Sequence, residues 1–264
     1  MATVFNPFTG KLDFTGGQST TSNTFDYIEF NPAYTSGVNQ YQVAWNDTDG
    51  TLELGLKGGN VDLSIGQENV ILVKNDEGSA LVAGDVVYVS GANGVNLLVK
   101  KALANSDLTS ASTIGVVAEP IAINGQGFIT TFGFLKNVNT NLFNDGDILY
   151  LSPTVAGKFT NIKPSAPEHL VLIGFVQKKS GGAGEIFVEI QNGYELDELH
   201  NVQINSGTLA NNNLVAYNNS TSTWQNKTLN DVNAVENVSG VQKIERVTTM
   251  PVTPDANTLY IVIP

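Results

Sequence analysis

GDVVYVS at residues 84–90 and GDILYLS at residues 146–152 carry one pattern twice. Each is a Gly-Asp turn feeding a run of aliphatic residues, with a tyrosine in the same place. TIGVVAEPIAINGQGFITT (113–131) follows the first copy and LIGFVQKKSGGAGEIFVEI (172–190) the second. Each of these reads as a strand, a Gly-rich turn and a strand. The pattern therefore repeats with a period of roughly 60 residues. Two copies are too few for a solenoid. The spacing predicts an all-β fold, an internally duplicated β barrel or sandwich built from two similar halves. Pro153, Pro164 and Pro167 fall outside the predicted strands, as ladder hydrogen bonding requires.

Towards the N-terminus the β signals continue to about residue 41. Leu52, Leu54 and Leu56 alternate with Thr51, Glu53 and Gly55, and Val61, Leu63 and Ile65 alternate with Asp62 and Ser64. A period of two marks half-buried strands. Asp49-Gly50 precedes the first strand as a hairpin turn, and Gly58-Gly59-Asn60 separates the two. Residues 1–40 lack a helical period. They are rich in Thr, Ser, Asn and Gly and dotted with Phe5, Phe8, Phe14, Phe25 and Phe30. Such a segment buries its aromatics only against something else, so it reads as an extended N-terminal arm.

Beyond residue 193 the acidic stretch YELDELHNV (194–202) reads as a linker or a single helical turn. Leu214 to Tyr217 then lead through an Asn/Ser/Thr turn to Trp224. A lone hairpin of this size cannot bury Tyr217 and Trp224, whereas association of copies would. The end, TTMPVTPDANTLYIVIP, is turn chemistry followed by an apolar strand at 259–263. The expected organisation is an arm (1–40), a central duplicated β domain (41–193), a linker (194–203) and a small C-terminal β-hairpin module (204–264) for trimerisation.

Composition narrows the function. Only 14% of the 264 residues are charged, so the polar surface comes from uncharged side chains, which suits turn-rich β proteins. The net charge of −12, with 13 Lys and Arg together, argues against nucleic acid and anionic membrane as partners. No cysteine is present, which excludes a disulfide framework and thiolate metal sites. The start is not a basic, apolar leader, and runs such as 70–73 are too short to span a bilayer.

Catalytic patterns are missing. His169 and His200 are the two histidines, and neither has another at i+4. There is no G-x-S-x-G elbow. Gly10-Lys11 and Gly157-Lys158 lack the upstream glycine and the following Ser or Thr of a P-loop. NDTDG (46–50) places Trp45 at the first ligand position of a calcium loop, so a hairpin turn explains it better. Glu195, Asp197 and Glu198 read as a solvated acidic face. The chain is expected to be non-enzymatic and to need no cofactor or metal. A polysaccharide depolymerase would need a longer repeat array. Trp45, Tyr34, Tyr41 or Trp224, if exposed, could stack on sugar rings, although large aromatics more often bury their area.

Several stretches resemble structural proteins of tailed bacteriophages. They are NPFTGKLDF (6–14), WNDTDGTLELGLKGGNVDLSIGQE (45–68), TIGVVAEPIAINGQGFITTFGFLKNVNT (113–140) and GDILYLSPTVAGKFTNIKP (146–164). They look like a module shared by tail-fibre and head-fibre proteins, and the repeated Gly-Asp strands are similar to those of capsid cement or decoration proteins. ELHNVQINSGTLANNNLVAYNNSTSTWQNKTL (198–229) resembles short fibre repeats, and PVTPDANTLYIVIP (251–264) a closing fibre strand. The resemblance implies a virion protein made in the bacterial cytoplasm, a homotrimer whose partners are capsid, collar or tail proteins. The aperiodic, aromatic-dotted arm points to docking through Phe5, Pro7, Phe8 and Phe14, and the small distal segment to a trimer core at Tyr217 and Trp224. The absence of a long shaft favours a head fibre, collar or decoration protein. The alternative is a tail fibre or tail adaptor that contributes to binding host-surface glycan.

Overall fold

Short apolar runs punctuated by Gly and Asn turns dictate strands rather than helices, and the chain is nearly all β. The structure is a computed structural model, and it describes residues 4–6, 11–13, 28–30, 37–229, 231–232, 243–256 and 258–263. β1 (Val4–Asn6) and β2 (Lys11–Asp13) form a two-stranded ribbon. β3 (Val43–Asn46), β4 (Thr51–Gly55) and β5 (Asp62–Ser64) form an antiparallel meander. The predicted Asp49-Gly50 turn joins β3 to β4, with Gly50 at φ +68°.

The centre is a nine-stranded sheet. Its first half comprises β6 (Glu68–Asn75), β7 (Val86–Ala92), β8 (Leu97–Lys101), β9 (Thr113–Val117) and β10 (Gln126–Val138), with a short helix α1 (Asp107–Ser110) before β9. Strand β10 pairs with both β6 and β9, β9 with β7, β7 with β8, and β8 returns to β6 in parallel. These five strands close into a barrel. Val73, Leu81, Val87, Val99, Ile121 and Ile129 fill it and are buried. Each fully buried aliphatic of this kind stabilises the fold by about 1.5–3 kcal/mol.

The second half repeats the first. It comprises β11 (Ile148–Leu151), β12 (Phe159–Thr160), β13 (Val171–Lys178) and β14 (Gly184–Asn192). The registers coincide: Val86 faces Val116 and Ile148 faces Phe175, while Val87 faces Gly115 and Leu149 faces Gly174. Both copies carry a bulge at the next position, before Tyr88 and before Tyr150. The expected duplication is thus present, strand for strand.

The halves differ in closure. In the second, β12 has two residues and pairs only with β11, so no parallel pair completes a barrel. The sheet β12–β11–β13–β14–β10 stays open. Its inner face, with Leu149, Ile173, Val176 and Val188, is sealed instead by Val86, Val116, Ala102 and Ala104 from the outside of the first barrel. The 13-residue strand β10 belongs to both halves. Its first part pairs with β6 and its last part with β14.

After the body comes a 3-10 turn, Leu196–Glu198, in the acidic segment. β15 (Val202–Gln203), β16 (Leu214–Asn218) and β17 (Thr223–Lys227) form a three-stranded sheet in the order β15-β17-β16. β18 (Lys243–Val247) and β19 (Thr258–Val262) pair in parallel. The final strand was expected at 259–263. Its parallel partner has no local sequence signature, because parallel partners are joined by long connections.

Candidate interaction surfaces

The Gly-Asp turns organise the body. Gly84 and Gly146 sit at φ +86° and +84°, a conformation that glycine adopts without a Cβ clash. In each turn the aspartate accepts a hydrogen bond at 3.0 Å from the backbone N–H three residues earlier, Val82 for Asp85 and Asn144 for Asp147. Asp85 is completely buried. It also takes Lys158 Nζ at 2.5 Å and Lys101 Nζ at 3.3 Å. Lys101 comes from the first half and Lys158 from the second, so one carboxylate ties the halves together. Asp147 lies at the surface and bonds Asn161 instead. Hydrogen bonds from the Asn144 N–H and then from the Asn161 amide hold its carboxyl below the usual carboxylate range.

A second charged group joins the meander to the body. Lys136 of β10 pairs with Asp49, which also accepts from Asn46. Burial pushes the Glu68 carboxyl up, against the Ser64 N–H bond and Lys136, which pull it down. Burial, then the nearby Glu53 charge, pushes Asp62 up as well. These groups line a cleft of about 240 Å³ between the meander and β10. Among the described residues no three His, Asp or Glu side chains come together as a metal-holding group. The Asp49 carboxylate of the NDTDG turn is occupied by a lysine.

The two histidines are placed differently. His169 is largely buried, with Nδ1 2.9 Å from Asp107 Oδ1 and 3.8 Å from Glu195 Oε1. His200 is exposed. Glu195 and Glu198 form a capping box on the 3-10 turn, which accounts for that acidic cluster structurally.

No family model matches the chain, and no curated protein matches it.

The aromatics named from sequence divide into three groups. Phe5 lies on β1 opposite Leu12, with only its backbone described. Pro7, Phe8, Phe14 and Tyr34 lie outside the described residues. Tyr217 and Trp224 are brought together as a cross-strand pair on β16 and β17, rings edge to face with centroids 5.4 Å apart. They remain 51% and 42% exposed. Tyr41 is exposed, and Trp45 is half-buried, donating from Nε1 to Asp47. Where the chain diverges beyond β15 and β17, a cleft of about 580 Å³ opens, lined by Gln203, Asn205, Thr208, Asn213, Asn226 and Lys227 among others.

Sequence reading missed one feature. On the outer face of the second half, Phe134 faces Phe187, Phe187 faces Phe175, and Phe175 faces Ile148. Four apolar side chains thus form a row across four strands. Phe132 and Phe134 both meet Phe187 edge-on, at 5.3 and 5.2 Å. The signal was the outward alternation of Phe-Gly-Phe at 132–134 with Ile-Phe-Val at 186–188. It shows only once the registers are known.

Proposed function

We propose that this chain is a structural protein of a tailed-phage particle, of head-fibre, collar or capsid-decoration type. In this reading it docks by its N-terminal arm and projects a β-rich, homotrimeric body. The observation that carries the reading is the Tyr217–Trp224 pair. A three-stranded sheet whose largest aromatics stay half exposed is incomplete alone, and copies packing around an axis would complete it. The phage-like segments quoted above, a body without a catalytic constellation in its sequence, and the aromatic-dotted arm agree with it. Docking by an extended arm uses main-chain hydrogen bonds and a few aromatic anchors.

Deletion of residues 1–20 tests the arm. The truncated protein should fold and associate as the full chain does, yet fail to join particles. Particles that still take it up would refute the arm.

A second reading is a tail fibre or adaptor that binds host-surface glycan. The 580 Å³ cleft favours it, because side-chain amides both donate and accept, as sugar hydroxyls demand. Asn226→Ala should then abolish binding on a glycan array, and an array blank for the wild type would remove this reading.

A further inference from the structure

The duplication lets two outer walls be compared position by position. On the first barrel the wall pair is Val86 and Val116, and both are 0% exposed because the open second half lies over them. The matching pair on the second half is Ile148 and Phe175, which are 42% and 36% exposed. The residues are also larger. The aromatic row continues from this pair through Phe187 to Phe134, with Phe132 beside it. Next to the row is a hollow of about 330 Å³ lined by Tyr150, Leu170, Leu172 and Lys163. No carboxylate lines it, although the chain carries 25 Asp and Glu.

Contiguous apolar surface of this kind marks an interface. The same chain shows what such a wall does, since its first copy is already covered by a sheet of this protein. We propose that the second wall is covered by a second copy of this chain, the aromatic rows of two copies packing face to face. Such a contact is two-fold, so it lies outside the three-fold packing proposed at Tyr217 and Trp224 and joins a copy of one trimer to a copy of another. It adds a contact in the body to the one at Tyr217 and Trp224. Stacked sheets pack about 10 Å apart with interdigitating side chains. A row of Phe and Ile on each side supplies such a layer, and Lys163 and Gln191 sit at its rim. No carboxylate lines the hollow, whereas Glu185 and Glu189 flank Phe187 on the same face of β14, Glu185 paired with Lys178 and Glu189 opposite Phe132.

The test is sedimentation of the full chain over a range of concentrations, for wild type, Phe175→Glu, Ile148→Lys and Trp224→Ala. The wild type should be oligomeric, and Trp224→Ala should still pair through the wall; that variant sedimenting as a monomer would assign the association to the tip and overturn the proposal. Both wall variants should associate at least tenfold more weakly, while unfolding with the same cooperativity as wild type. Because the chain has no cysteine, Gln191→Cys at the rim gives a second readout that leaves the aromatic row intact: a bis-maleimide cross-linker spanning about 10 Å, the separation of stacked sheets, should yield a covalent dimer on a denaturing gel. A wild type that sediments as a monomer throughout overturns the proposal. So does association of both wall variants as tight as wild type, with no covalent dimer. Uptake into particles is a separate measurement, so the virion reading and this interface fail independently.

Discussion

Asp85 and Asp147 occupy the same place in two copies of one turn, and their surroundings set opposite consequences for losing them. Asp85 is sealed from water between two lysines. Asp85→Ala takes the acceptor from the Val82 N–H and the counter-charge from two part-exposed lysines, so it should cost about 2 kcal/mol by urea unfolding. Asp147→Ala should cost clearly less in the same assay, because its carboxyl is at the surface. Equal losses would show that the turn, not the tie between halves, sets the stability. The glycines Gly115 and Gly174 form a similar pair. A Cβ on Gly174, at φ +150°, would overlap the Phe187 carbonyl. On Gly115 it would come 2.7 Å from Ile129 Cδ1 and 2.9 Å from the Thr130 carbonyl. Gly174→Ala should therefore lower stability by more than about 2 kcal/mol. Gly115→Ala should cost less, since its nearest neighbour is the movable tip of a side chain.

Among the elements, the β3–β5 meander should respond to pH. The Glu68 and Asp62 carboxyls are raised from ordinary values of 4.5 and 3.8. A raised folded value means that the proton is held more tightly when folded. The stabilisation is complete below the ordinary values and is lost as the pH rises through the raised ones. Glu68→Gln should therefore raise the Tm at pH 7, and the gain over wild type should vanish by pH 4. A gain that persists at pH 4 would place the cause elsewhere. Much at this scale was legible in advance. The Gly-Asp turns, the hairpin at 51–65 and the strand-turn-strand units follow from period and turn chemistry, which are local. The closure was not. Leu72-Val73-Lys74-Asn75 and Phe134-Leu135-Lys136-Asn137 are matching stretches on β6 and β10, so each half begins with a strand before its Gly-Asp turn. That the first such strand closes a barrel while the second does not depends on pairing with β8 and β12, distant in sequence. Of the site residues, Tyr217 and Trp224 could be read as a pair because a short turn joins their strands. The Phe134–Ile148 row needed three separate registers.

For the whole molecule, the halves are not equivalent folding units. The first has a closed barrel with its own core, and the second borrows Val86, Val116, Ala102 and Ala104 as a lid. A fragment of residues 66–138 should give a dispersed amide spectrum, and residues 132–192 alone should not. A well-dispersed spectrum from the second fragment would mean that its sheet can close without the barrel wall.

The shared strand β10 has a mechanical consequence. β6 and β14 flank it, both antiparallel to it, so they run in the same direction on opposite sides. A pull on residues before β6 and after β14 therefore drags these two strands past β10 along their length. The ladder bonds on either side are loaded together in shear and do not open one by one, as they would in an unzipped hairpin. A chain stretched between its two ends should resist until β10 fails as a unit, giving a single high-force event in a pulling experiment. A staircase of small events would instead mean that the halves separate before the strand they share.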